Sequence, residues 1–193
     1  YDSSGNYVYI TNDEASKYTL YNGTHIWYTT ATATTGDVTF SERMKISAGG
    51  NVTAPTNCYF SVELSSAASN VTGDDHNYTP IVFDTEHFDI GGNFASNVFT
   101  APVTGKYLLE TTLYMNGIVS GHTALRSHIR TSNRTHAISY INPYAMQDAN
   151  GPLLLIHGSV LVDMDASDTA YVDLNVLGGA RVVDVTPPYT RFQ

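Results

Sequence analysis

Hydrophobic and polar residues alternate in short runs along this chain, which is the pattern of β-strands. The clearest run is Tyr107–Asn116, in which every second residue is suited to a buried face. It follows the corner Pro102–Gly105, which separates it from a shorter strand, Val98–Ala101. Proline cannot donate a ladder hydrogen bond and glycine can adopt positive φ, so this corner predicts a tight turn between two strands.

From residue 57 onwards the pattern predicts eight or nine strands and no helix. The predicted strands are Cys58–Leu64, Thr79–Asp84, Val98–Ala101, Tyr107–Asn116, Ala124–Thr131, Thr135–Ile141, His157–Met164, Ala170–Leu177 and Ala180–Val185. The predicted long loops are Ser65–Asn77, Glu86–Ala95 and Asn142–Pro152. Short strands at this spacing predict an all-β fold, a sandwich or jelly roll.

Residues 1–56 have a different character, because they are rich in Thr, Ser, Asn and Tyr and poor in aliphatic residues. Their predicted strands include Tyr18–Tyr21, His25–Thr30, Asp37–Phe40 and Arg43–Ile46. Such short polar strands do not close a core within one chain. We therefore expect a small β-hairpin region over 1–56, wrapped together from several copies, followed by a sandwich head over 57–193.

Composition excludes several classes of protein. The 193 residues carry a formal net charge of −9, which argues against nucleic-acid binding because phosphate neutralisation needs excess Lys and Arg. No apolar run approaches the roughly 20 residues of a membrane span, so no membrane insertion is expected. The single cysteine, Cys58, excludes an internal disulfide and is interpreted as a small core residue.

Catalytic motifs are not apparent. Gly117–Gly121 places its serine one position away from that of a nucleophile elbow, and the zinc motifs H-E-x-x-H and C-x-x-C do not occur. Paired carboxylates for glycoside hydrolysis remain open, because their separation is spatial. The prediction is a protein that is not an enzyme, with a glycan-cleaving protein as an alternative.

A basic strand face is the most distinctive charge feature of the sequence. Strand alternation places Arg126, His128 and Arg130 on one face, and Arg134 and His136 lie just across the turn. Arginine forks suit oxyanions, so these five residues form a candidate site for an anionic ligand such as a lipopolysaccharide phosphate or an acidic sugar. The alternatives are pairing with the acidic turns of another copy of the chain and a solvated face.

Three carboxylates cluster at Asp163, Asp165 and Asp168. Hard oxygen ligands in a loop suit calcium, although the spacing is not that of an EF-hand. The alternative is a solvated acidic turn that protects a strand edge. No other cofactor is predicted.

One segment of the N-terminal region resembles a known phrase. Ser41–Val52, reading S-E-R-M-K-I-S-A-G-G-N-V, is similar to a phrase of bacteriophage tail fibres and tail spikes, and Tyr1–Val8 resembles a second copy of its latter half. The segment departs at Ala48-Gly49 and lacks the G-I-G-T that usually follows. The resemblance implies a virion protein used in host attachment.

The remaining seventy per cent, from about residue 58, resembles the complement C1q globular head, a trimeric jelly roll related to tumour necrosis factor. The matching segments are Cys58–Val62, Pro80–Asp84, Asn93–Tyr107, Gly158–Val162 and Ser167–Val172. The resemblance implies a homotrimer, and some heads of this type bind calcium near the trimer apex. The family ends in F-S-G-F/Y-L-L, whereas this sequence reads Arg191-Phe192-Gln193, so residues of the last strand are expected to be lacking.

Together these observations predict a virion adhesion protein without enzymatic activity. It would be the distal segment of a tail fibre, a homotrimer that binds a bacterial surface glycan or an outer-membrane receptor. The alternatives are a secreted, extracellular ligand of the complement or tumour-necrosis-factor type that binds a protein receptor, and a glycan-cleaving tail protein.

Overall fold

The computed structural model describes residues 7–8, 14–31, 37–143 and 153–193. The chain divides into two compact units, Tyr1–Asn57 and Cys58–Gln193. Most of the Tyr1–Val8 segment that resembles the fibre phrase, and most of the predicted loop 142–152, lie outside the described residues. The described residues contain strands and no helix, which confirms the all-β prediction.

The first unit contains one antiparallel sheet of four strands. These strands are β1 (Ser16–Tyr21), β2 (Thr24–Thr29), β3 (Ser41–Ile46) and β4 (Val52–Thr53), in that order across the sheet. The turn between β1 and β2 is Asn22-Gly23, both with positive φ, as a two-residue hairpin requires. The predicted strand Asp37–Phe40 is present only as an isolated bridge at Asp37.

Thirteen strands lie in the described residues of the second unit. They are β5 (Tyr59–Glu63), β6 (Ala68–Thr72), β7 (Asn77–Tyr78), β8 (Thr85–Ile90), β9 (Phe94–Ala95), β10 (Val98–Thr100), β11 (Gly105–Asn116), β12 (His122–Thr131), β13 (Thr135–Ile141), β14 (Leu154–Met164), β15 (Thr169–Gly178), β16 (Val183–Val185) and β17 (Arg191–Phe192). All of their pairings are antiparallel.

These strands form two sheets. Sheet A has the order β6-β16-β11-β17-β5-β8, with β14 also paired to β11. Sheet B has the order β13-β12-β15-β10-β9, with β7 also paired to β15. From β10 onwards the chain passes repeatedly between the sheets, because β11, β14, β16 and β17 belong to sheet A while β12, β13 and β15 belong to sheet B. This is the connectivity of a jelly-roll sandwich.

A continuous apolar core lies between the two sheets, and alternation along each strand supplies it. In β11 the buried positions are Leu109, Thr111, Leu113 and Met115, as the sequence predicts. Sheet B contributes Ala170, Val172, Leu174 and Val176 from β15. An aromatic cluster stands at one end, where the Phe60 ring lies 5.0 Å from the rings of Phe99 and Phe192.

The corner Pro102–Gly105 carries the chain from sheet B to sheet A, which confirms that it joins two strands. The Phe99 and Tyr107 rings on either side lie 5.5 Å apart, and the Tyr107 hydroxyl donates to the Val103 carbonyl at 2.6 Å. Gly105 does not adopt positive φ, contrary to the prediction, since it is already the first residue of β11.

Three other expectations need correction. Thr79–Asp84 is extended without being a strand, because Pro80 cannot donate and Ile81 makes a single backbone hydrogen bond to Val172. The predicted loop 65–77 instead contains β6 and the first residue of β7. The predicted loop 86–95 contains most of β8 and all of β9. The predicted strand Ala180–Val185 is shorter, because only Val183–Val185 form β16. Near residue 193, β17 lies between β5 and β11 and Phe192 is fully buried.

Candidate binding surface

The outer face of sheet B carries the predicted basic residues of β12. Arg126, His128 and Arg130 all point away from the core, because Leu125, Ser127 and Ile129 between them are buried. Antiparallel pairing places three β15 residues directly opposite these cations: Asn175 opposite Arg126, Asp173 opposite His128 and Tyr171 opposite Arg130.

His128 and Arg130 share one carboxylate of the same chain. The fully buried Asp173 carboxylate lies 2.7 Å from Nδ1 of His128, and its other oxygen accepts a hydrogen bond from Nε of Arg130. A buried charge is retained in proteins when it is paired and hydrogen-bonded in this way. His128 and Arg130 therefore hold a structural carboxylate of the same chain, which is neither the predicted pairing with an acidic turn of another copy nor a fully solvated face.

Arg126 is held by an aromatic side chain of the neighbouring strand. Its guanidinium carbon lies 4.9 Å from the centre of the Tyr140 ring, and it donates to the Tyr140 hydroxyl at 3.0 Å. Nε of Arg126 is buried and has no hydrogen-bond partner in the described part of the chain. Arg126 and Tyr140 thus form one exposed cation–π unit.

Arg134 and His136 lie elsewhere. His136 pairs with Ile129, whose side chain is buried, so it does not share the face of Arg130. Both residues instead line a cavity of about 400 Å³. Its lining residues are Lys106, Thr131, Asn133, Arg134, His136, Leu161, Val162 and Asp163. We call it the basic cavity. The structure therefore divides the five predicted residues between two surfaces.

The acidic loop ties strands together. Asp163 lies 3.3 Å from Nζ of Lys106, and Asp165 accepts from the Thr104 hydroxyl at 3.3 Å. Asp168 accepts from the Ser132 hydroxyl at 2.7 Å and from the Asp165 amide at 2.8 Å. These hydrogen bonds lower the pKa of the Asp168 carboxyl from its ordinary value, the Ser132 bond most.

No group of three or more histidine, cysteine, aspartate or glutamate side chains is placed to hold a metal ion among the residues that the structure describes. Asp163, Asp165 and Asp168 each have their own partner, so the structure does not gather them around one point. Calcium at this loop stays a prediction. Within the same described residues, no helix has the length and apolar character needed to cross a membrane.

A second cavity, of about 510 Å³, lies at the end of sheet A near Gln193. Most of its lining is apolar and includes Phe60, Phe88 and Leu108. Cys58 also lines it, and burial raises the pKa of this thiol, with the charge of Asp89 adding to the effect. A raised thiol pKa opposes thiolate formation, so Cys58 has the character of a structural residue.

Sequence reasoning missed Asp173 and Lys106. The role of Asp173 could have been predicted, because strand alternation places it on the same outer face as His128 of the neighbouring strand β12. Lys106 could not, because it reaches the basic cavity from another sheet. Of the aromatic residues considered for sugar stacking, Tyr140 is held by Arg126, Tyr189 packs against Tyr114 at 5.4 Å, and Tyr144 lies outside the described residues.

No protein-family model and no curated protein matches this chain. Solved structures do resemble it. The globular domain of zebrafish complement 1qA is 14% identical, with 69% of this chain and 91% of that chain covered and a TM-score of 0.45. A crystal structure of murine APRIL at pH 8.0 is 10% identical, with 70% of this chain and 96% of that chain covered and a TM-score of 0.42.

Proposed function

We propose that this protein is a homotrimeric binding protein without enzymatic activity, in which the outer face of sheet A packs between copies and the remaining surface contacts a partner. The observation that carries the proposal is a set of exposed apolar side chains on the outer face of sheet A. The same face also carries a surface ion pair between Lys106 and Asp163, whereas the outward residues of sheet B are mainly polar.

The outer face of sheet A presents a set of apolar side chains that a single copy leaves in water. Leu108 pairs across strands with Leu161, and Tyr59 pairs with Ile90. The exposed fractions are 66% for Leu108, 65% for Leu161, 56% for Tyr59, 47% for Phe88 and 41% for Ile90. A contiguous apolar patch of this kind is typical of an interface between proteins.

The outer face of sheet B is built differently. Its outward strand positions include the half-buried Arg126, His128, Arg130 and Asn175, and its buried carboxylate, Asp173, is already paired. This face is compatible with water in a single copy. Closed symmetric assembly through the outer face of sheet A would therefore leave sheet B and its loops available to a partner.

The surroundings of one histidine–aspartate pair support the absence of enzymatic activity. His128 with Asp173 has the form of two members of a catalytic triad. In the described residues, however, no serine, threonine or cysteine hydrogen-bonds to His128, and Arg130 shares the carboxylate. The pair is accounted for by its role in holding β12 to β15.

Two biological roles are candidates for this binding protein. The similarity of Ser41–Val52 to the tail-fibre phrase supports a virion adhesin that attaches to a bacterial surface glycan or outer-membrane receptor. The resemblance of the whole second unit to complement heads supports a secreted extracellular ligand for a protein receptor. The secreted ligand is supported by a longer part of the chain. Both candidates require the trimer and an accessible outer face of sheet B.

Light scattering of the purified chain tests the trimer. The proposal predicts a mass of three times 21.0 kDa, held on dilution to micromolar concentration. A mass of 21.0 kDa under these conditions contradicts it. Labelled protein applied to bacterial cells, to cultured animal cells and to a glycan array then separates the two roles, and hydrolysis of any bound glycan contradicts the non-enzymatic assignment.

A further inference from the structure

The basic cavity lies where the turn between β12 and β13 meets the start of β11 and the end of β14. The turn is firmly held, because the Thr131 amide donates to the Arg134 carbonyl at 2.8 Å and the Arg134 amide donates to the Thr131 hydroxyl at 3.0 Å. Asp168, in the loop just before β15, fixes the turn through Ser132 and Asn133. The backbone that carries Arg134 is therefore ordered before any ligand arrives.

The charge of the basic cavity is not balanced by its own residues. Lys106 is paired with Asp163, the one carboxylate in the lining. The exposed guanidinium of Arg134 and the half-buried ring of His136 have no hydrogen bond or ion pair with any described residue. A cation without a partner stands out in a chain of net charge −9, and a nearby anion would be attracted to it.

The lining also indicates what kind of anion fits. A planar guanidinium binds a carboxylate through two parallel hydrogen bonds. Asn133 donates its amide group to Asp168, which leaves its side-chain oxygen without a partner among the described residues and able to accept from a hydroxyl. Leu161 and Val162 supply an apolar wall, which borders the surface proposed to pack between copies because Leu161 also belongs to the outer face of sheet A. A carboxylate, hydroxyl groups and an apolar ring face occur together in an acidic sugar.

We propose that the basic cavity binds an acidic sugar residue, with Arg134 holding its carboxylate and Asn133 accepting from a hydroxyl. A volume of about 400 Å³ lies within the range of small-molecule sites and admits a single sugar ring at the end or side of a glycan. This inference rests on the proposed binding function and names its ligand class. It moves the anion site away from Arg126, His128 and Arg130.

The test is a titration of the isotope-labelled chain with sodium glucuronate, followed by NMR. We expect saturable shifts of the amide signals of Arg134 and its neighbours. Losing the two charge-assisted hydrogen bonds in Arg134→Gln should weaken binding by about 10- to 100-fold. The affinity of Arg134→Lys, which keeps the charge but loses the two parallel hydrogen bonds, should lie between those of the unaltered chain and Arg134→Gln. Arg126→Gln, on the other surface, should bind as the unaltered chain does.

Glucose and inorganic phosphate are the ligand controls. Glucose has the ring without the carboxylate and should produce no saturable shifts. Phosphate that binds as tightly as glucuronate would overturn the assignment to an acidic sugar, and so would an unchanged affinity in Arg134→Gln. Light scattering on the same samples distinguishes the two proposals, because an unaltered chain that is trimeric but does not bind glucuronate contradicts this inference alone.

Discussion

Replacing Leu108 with arginine tests whether the outer face of sheet A is buried in an assembly. Leu108 points outward and is 66% exposed in one copy, so the substitution should leave the fold of that copy unchanged. Burying a whole leucine stabilises by about 1.5–3 kcal/mol, so its exposed two thirds would contribute about 1–2 kcal/mol per copy and about 3–6 kcal/mol per trimer. Burying an unpaired guanidinium adds a further cost.

The expected result is a fall in the association constant by at least about two to four orders of magnitude, because each 1.4 kcal/mol corresponds to a factor of ten. Sedimentation velocity across a dilution series measures it, and circular dichroism checks that the strands remain. The matched control is Val103→Arg in the corner loop, where the valine is 63% exposed. The reasoning is refuted if Leu108→Arg sediments like the unaltered chain, or if both variants dissociate equally.

Three further predictions concern stability. Asp173→Asn should lower the free energy of unfolding by about 1.5–3 kcal/mol in urea denaturation, because the half-buried Arg130 guanidinium loses its charged acceptor, whereas Asp163→Asn, at an exposed pair, should cost no more than about 1 kcal/mol; equal losses would contradict this. Gly117→Ala should be strongly destabilising, because the new Cβ would lie 2.1 Å from a backbone carbonyl oxygen at φ +82°, and an unchanged melting temperature would contradict it. Hydrogen bonds from Ser65 lower the pKa of Asp84 below its ordinary 3.8, so their stabilisation is present above that pH and is lost as the pH falls through the folded-state value. Melting temperatures between about pH 5 and pH 2 should therefore fall less in Asp84→Asn than in the unaltered chain, and identical slopes would disprove the linkage.

Much of the fold could be read from local alternation. The buried positions of β11 follow from period-two spacing, and the corner at Pro102 follows from residues that end strands. Thr79–Asp84 was misassigned because an apolar run also suits an extended segment that covers the core without a ladder. Its Ile81 is fully buried, so the apolar run correctly predicted burial but wrongly predicted pairing in a strand.

The candidate site was harder to predict, because its members come together only through the closure of the sandwich. Alternation correctly grouped Arg126, His128 and Arg130, but it could not indicate that two of them share Asp173 from β15. Arg134 and His136 follow the same hairpin, yet β13 lies against β14 and turns them toward the basic cavity. Contacts between strands distant in sequence have no signature in a local pattern.

Site-specific photo-crosslinking tests the central claim most directly. A photoreactive phenylalanine analogue would be placed at Leu108 on sheet A and, in a separate variant, at Tyr140 on the outer face of sheet B. The account predicts that irradiation at position 108 gives products of two and three times the 21.0 kDa chain mass, and that position 140 gives none. Crosslinking only at position 140, or at neither position, would contradict it.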